Sequence, residues 1–216
     1  MKNYPGSKEW KQEKYNNILE VGFRMFTEKG IEQVTMTELA EASEVGRMTV
    51  FRYFPSKTEL VVAISTYKWK EFIEWNNSLL SAEEMEKLTG AEYLKFFIDS
   101  FLELYRNHKD ILRLNYNFNS FLIYRKGTVE QKQPYQEMVD ALAAQFHTLY
   151  ERGRLDGTLN TDIPEQTMFS SIFHIMLAAV TRYALGLAIV NESDPESELV
   201  MLADMMLTKF TDQKRG

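Results

Sequence analysis

With 216 residues, 44% of them hydrophobic and 26% charged, the chain can bury a core and is not composed like a disordered one. It has no cysteine, which removes disulfide frameworks, thiolate nucleophiles and cysteine metal sites. The net charge of −6 looks adverse to a nucleic-acid partner, but residues 1–63 hold nine basic and nine acidic side chains, so the whole excess lies beyond them.

Within that neutral part, the stretch from Val45 to Thr58 carries Arg47, Arg52 and Lys57 and no acid. A local basic face on a neutral module can meet phosphate while an acidic body orients the molecule. The N-terminus is polar and lacks the apolar stretch of a signal peptide, so a cytoplasmic protein is expected. The most apolar segment, 168–190, is interrupted by Ser170, Ser171, His174 and Arg182, and no membrane span is expected.

Nearly every periodic segment has helical spacing, so the expected class is all-α. The first helix shows Ile18, Val21, Gly22, Met25 and Phe26 on one stripe and stops at Gly30. A second short helix starts near Thr37, with Leu39 and Ala40 apolar. A third runs from about Arg47 to Phe54 and ends before Pro55. Ser56 with Glu59 forms a capping-box pattern opening a fourth. Longer helices are predicted over 91–107, 110–124, 134–152, 164–190 and 195–211. Asp194 before Pro195 is a good N-cap with proline at the first helical position.

The informative stretch is 35–54: two short helices joined by a tight turn at Ser43–Gly46. That is the layout of a helix-turn-helix, in which the second helix lies in the major groove. On its helical wheel, Val50 and Phe54 share the inner face and pack with Val45 against Leu39, Ala40 and Phe26. Met48 and Arg52 point away, with Thr49 and Phe51 on the flanks and Arg47 at the free end. Arg47 and Arg52 are candidates for guanine O6 and N7, and Met48 and Thr49 for thymine methyl groups. Thr35 and Thr37 at one helix N-terminus, and Lys57 at the next, are placed to meet phosphate.

From about Tyr15 to Ile64 the chain resembles the N-terminal domain of TetR-family transcriptional regulators. The resemblance rests on Phe26 to Gly30, Thr35, Leu39-Ala40, the run Thr49-Val-Phe-Arg-Tyr-Phe54, and Ser56-Lys57 with Leu60. It implies a helix-turn-helix DNA-binding domain over 12–67 and a helical ligand-binding and dimerisation domain over 68–216. Three departures stand out: Glu44 where the family commonly has glycine, Gly46 where it has serine, and Phe51 where it usually has a tyrosine that touches phosphate. Phe51 is left to contact sugar or a thymine methyl, and the phosphate clamp falls to Thr37, Tyr53 and Lys57.

The last two helices are apolar on nearly every side and must be covered on more than one. A homodimer interface is expected there, through Ile172, Val180, Leu187, Leu199, Leu202, Met206 and Phe210; the resemblance implies the same four-helix pairing. A cavity for a small, mainly hydrophobic effector is expected among Phe97, Phe101, Phe121, Phe146, Phe173 and Met176. His147 and Glu151 lie one turn apart without a third ligand, so no metal site is expected, and no cofactor. No nucleophile–base pair or carboxylate dyad stands out, so the chain is not expected to be an enzyme. The leading function is a ligand-responsive repressor that binds double-stranded DNA at a palindromic operator. The alternative is a helical adaptor with a vestigial DNA-binding motif.

Overall fold

The computed structural model describes residues 7–125, 127–187 and 194–211. Among them are ten helices and a single isolated bridge, Leu159 to Thr211. The helices are α1 (Lys8–Lys29), α2 (Met36–Ala42), α3 (Arg47–Tyr53), α4 (Lys57–Asn77), α5 (Ala82–Lys87), α6 (Gly90–Asn107), α7 (Lys109–Arg125), α8 (Val129–Asp156), α9 (Glu165–Ala184) and α10 (Pro195–Phe210). None of the described helices is long and apolar enough to cross a membrane.

Capping explains most of the helix starts. Ser7, Thr35, Ser81, Thr89 and Asp194 each accept a hydrogen bond from the first turn of the helix they open, satisfying donors that a helix start leaves orphaned. Thr35, Ser81 and Thr89 do so in full capping boxes with Glu38, Glu84 and Glu92. The Ser81–Glu84 box opens α5, a helix that apolar periodicity alone does not predict.

Helix α8 begins five residues before the expected start at Pro134. Thr128 and Gln131 explain this by capping each other: the Gln131 amide donates to the Thr128 hydroxyl at 3.3 Å, and the Thr128 amide to the Gln131 side chain at 3.0 Å. Pro134 then sits inside the helix, close enough to its start that a single backbone bond is forgone. Helix α9 stops at Ala184, earlier than the expected 190, and Gly186 follows at φ +69°, a left-handed stop suited to glycine. The remainder of that predicted helix, 188–190, lies outside the described residues.

The chain divides into two compact units, 1–72 with 114–138 and 73–113 with 139–216. The first reaches past the expected boundary at 67 and takes in the end of α7 and the start of α8, while α4 continues unbroken to Asn77. Its core joins Ile18, Leu19, Phe26, Leu39, Val50, Phe54, Leu60 and Ile64 to Leu114, Phe118 and Phe121.

In the second unit, α6, α9 and α10 pack on one another, and α6 crosses α8 through a glycine pair. A Cβ on Gly90 would lie 2.1 Å from the Cα of Gly153, so no side chain fits. The turn after α8 fastens the crossing: Asp156 accepts from the Gly90 amide at 2.7 Å, and the Thr158 hydroxyl from that of Ala91 at 2.9 Å. Gly90→Ala forces backbones apart, and a cost of about 1–3 kcal/mol is expected. At roughly 2–4 °C per kcal/mol, a thermal melt should fall by several degrees; an unchanged melt contradicts the close crossing.

Candidate nucleic-acid interface

Helix α3 is fixed in rotation by what it buries. Val50 is 0% exposed and Phe54 2%, inside the core that holds Val45, Leu39, Ala40 and Phe26. At about 100° per residue, those anchors turn Arg47, Met48 and Arg52 outward. All three are exposed, Met48 by 81%, while Thr49 and Phe51 on the flanks are half-buried. Neither guanidinium has an acidic partner among the described residues. Arg47 lies over the ring of Phe51 at 5.5 Å and Arg52 over that of Tyr53 at 5.7 Å. Such contacts orient a cation weakly and leave its N–H groups available.

The turn before α3 is tight. The Val45 amide donates to the Ala40 carbonyl at 3.0 Å, and the Ser43 hydroxyl to the Leu39 carbonyl at 2.7 Å. Asn17 of α1 donates to the Ser43 carbonyl at 2.8 Å, tying the turn to the first helix. Glu44 takes the left-handed conformation, φ 52°. Gly46 caps α3 through its conformation alone, without a side-chain bond.

The phosphate-facing candidates divide. The Thr35 hydroxyl is committed to the capping box: it accepts from the Glu38 amide at 3.1 Å and donates to its carboxylate at 2.8 Å. The Thr35 amide and hydroxyl, each donating to the Glu38 carboxylate at 2.8 Å, hold it below the usual carboxylate range, the amide contributing most. Thr37 is half-buried in the same first turn. The Tyr53 hydroxyl donates to the Lys11 carbonyl at 3.3 Å, and its ring meets Tyr15 edge-on at 5.5 Å. Tyr15 in turn stacks on Phe54 at 5.2 Å, so Tyr53 also buttresses α1 against α3, a role the sequence did not single out. Lys57 opens α4 and donates to the Glu32 carbonyl at 3.2 Å. Partial burial draws its pKa below that of an ordinary lysine, against the pull of Glu32.

In the second unit the aromatic residues do converge. Phe97 meets Phe101 at 5.7 Å and Phe146 at 5.3 Å; Phe101 meets Phe173 at 6.1 Å. Phe169, which was not singled out, closes the ring against Phe146 at 5.3 Å and Phe173 at 5.7 Å. Met176 is fully buried one turn further along α9. Phe121 is a correction: it belongs to the core of the first unit, because α7 crosses from one unit to the other.

The expected dimer residues need a larger correction. Ile172, Val180, Leu199 and Phe210 are buried within the chain itself, where they hold α9 and α10 in place, and Leu202 and Met206 are half-buried. Of the expected set only Leu187 is exposed. The outward apolar residues of these helices are Ile175 and Ala178 on α9 and Met201 and Met205 on α10, the two methionines 59% and 60% exposed. Their three- and four-residue spacing was visible in the sequence, but in helices apolar all round it could not be told from the inward stripe.

His147 binds Glu165 at 2.9 Å, which raises its pKa, and no metal-holding group of three ligands occurs among the described residues.

The family model described as "Bacterial regulatory proteins, tetR family" matches residues 18–64. The fatty acid metabolism regulator protein of Bacillus subtilis is 20% identical over 197 residues, 91% of this chain and 93% of that protein. The uncharacterised HTH-type transcriptional regulator YuxN of the same organism is 18% identical over 95% of this chain, which spans only 64% of YuxN. Among solved structures, the transcriptional regulator FadR from Bacillus subtilis in complex with stearoyl-CoA superposes with a TM-score of 0.69 at 18% identity, covering 90% of this chain and 98% of that one. That likeness establishes the shared helical fold.

The left-handed Glu44 costs roughly 1 kcal/mol relative to glycine. Glu44→Gly should therefore raise the thermal melt by a few degrees, and a fall would show that the Glu44 side chain holds the turn.

Proposed function

We infer that this chain, which belongs to the TetR family of bacterial regulatory proteins by the match at residues 18–64, is a repressor that binds a palindromic operator as a homodimer and is released by a small, mainly hydrophobic effector. Its DNA-binding part is residues 12–67 and its ligand and dimer part residues 68–216. The carrying observation is the outward face of α3: two exposed arginines with no acidic partner among the described residues and an exposed methionine, held out by the burial of Val50 and Phe54. Solvation does not account for a large exposed apolar side chain between two guanidiniums, whereas a major groove covers both. Arginine forks match guanine O6 and N7, and methionine, with Thr49 and Phe51 beside it, matches thymine methyl groups. Thr37, Lys57, Tyr53 and the amides of α2 that Thr35 orders supply backbone contacts that set the register.

The exposed residues Ile175, Ala178, Met201 and Met205 support a dimer through this face. It would place two copies of α3 in successive major grooves, about 34–36 Å apart. The effector is assigned to the aromatic cluster of α6, α8 and α9. A ligand with differential affinity for the state in which these rings part would shift the population away from the DNA-competent spacing. The FadR structure was solved with stearoyl-CoA, which makes a long-chain acyl-CoA the first effector to test.

Repeated selection from randomised duplexes should recover a two-fold symmetric sequence, and added stearoyl-CoA should release the protein from it. Recovery of no enriched sequence removes the regulator reading. On the selected duplex, Arg52→Ala is expected to weaken binding by about 1–3 kcal/mol while sparing random DNA; an equal loss on both reduces Arg52 to a phosphate contact. Met201→Glu combined with Met205→Glu should yield a monomer by sedimentation without loss of helix content. A persisting dimer would move the interface elsewhere.

A further inference from the structure

Near the first turn of α4, two cations from distant parts of the sequence gather on one residue. Glu32, in the connection between α1 and α2, holds Arg125 from the end of α7 through its carboxylate: Nη2 donates at 2.9 Å and Nε at 3.3 Å. Its backbone carbonyl accepts from Lys57 at 3.2 Å. Arg125 is close enough to Lys57 for its charge to help lower the pKa of that lysine. Lys29 and Glu38 complete the charged surroundings. The group thus holds three cations and two carboxylates, one of which, that of Glu38, is tied up in capping Thr35.

Gly127 and Gln131, which follow α7, sit directly on the start of α4. A Cβ on Gly127 would come within 3.0 Å of Thr58, and the Gln131 side chain donates to the Ser56 hydroxyl at 3.4 Å. Whatever approaches the N-terminus of α4 therefore also approaches Arg125, whose side chain is 56% exposed. Stability alone is a poor reason for the arrangement, since an exposed ion pair contributes little and is screened by salt. What the arrangement does achieve is to keep two cations side by side at one place on the surface, with Glu32 holding both.

We propose that Arg125 is a second phosphate-contacting cation beside Lys57, so that the C-terminal end of α7 forms part of the DNA interface. The proposal rests on the reading that Lys57 meets the DNA backbone, and it extends that interface to a residue 71 positions beyond the helix-turn-helix. The guanidinium fork now satisfied by Glu32 suits a phosphodiester equally well. In the complex, the phosphate takes over part of the guanidinium and Glu32 becomes the competing anion. The contact carries no sequence information, because it reaches only the backbone.

The test is the salt dependence of binding to a mixed-sequence 30-base-pair duplex, measured by fluorescence anisotropy, with thermal melts of every variant alongside. Each phosphate neutralised contributes about 0.9 to the slope of log K against log salt. Arg125→Ala should lower the slope by about that amount per DNA-bound head, and Arg125→Lys should restore most of it. Glu32→Gln, which breaks the same ion pair but keeps the cation, should leave the slope unchanged and tighten binding by about threefold, one like-charge repulsion being removed. If Glu32→Gln and Arg125→Ala weaken binding alike, the pair is structural and the proposal falls. An unchanged slope in Arg125→Ala overturns it too, while leaving the regulator reading intact. Failure of the unaltered protein to bind the duplex at low salt overturns both.

Discussion

Burial of Val50 in the seven-residue helix α3 and of Phe54 at its C-cap is the constraint on which the outward face depends. A helix as short as α3 has no stability of its own, and its direction and rotation come from Val50 and Phe54 inserted among Val45, Leu39, Ala40 and Phe26. Truncating a buried phenylalanine costs about 3–5 kcal/mol, comparable to a large share of a domain's net stability. That energy is what keeps Arg47, Met48 and Arg52 in solvent. The Tyr15–Phe54 stack and the Tyr53 bond to Lys11 reinforce the same seating from α1.

The outward face thus acts as one rigid unit with α1, α2 and the start of α4, and polar contacts extend that rigidity. Asn17 fastens the turn before α3. Lys68 of α4 bridges Glu20 of α1 and Glu71 of its own helix at 2.7 and 2.9 Å, with its ammonium over the Phe23 ring. Because the end of α7 and the start of α8 share this core, any shift of those helices must be felt at Lys57 and in the seating of α3. A packed core has discrete arrangements rather than a continuum, so such a shift would be a step between packings and not a gradual drift.

The head was legible in the sequence because its signals are local. Helical period, a turn at 43–46, proline at 55 and a capping box at Ser56 fix the elements, and the wheel of α3 then fixes its buried face. Where signals compete, local reasoning failed: Pro134 looked like a start because proline favours the first turn, but the Thr128–Gln131 box recruits five earlier residues. The body was legible only as helices. In α9 and α10 every side is apolar, so the wheel cannot separate Ile172 and Leu199, which face the chain's own core, from Ile175 and Met201, which do not. Phe121 was misplaced for a related reason, since periodicity shows which residues are inside but not whose interior they enter. The Glu32–Arg125 pair joins residues 93 apart, beyond any local pattern.

The most direct test of the central claim is dimethyl sulfate protection of the duplex recovered by selection. Protection of guanine N7 at positions about 10 base pairs apart, one set per half-site and lost in the Arg52→Ala protein, is the result required of an α3 lying in the major groove. Protection confined to adenine N3 in the minor groove, or major-groove protection untouched by loss of Arg52, would mean that the outward face of α3 is not what reads the DNA.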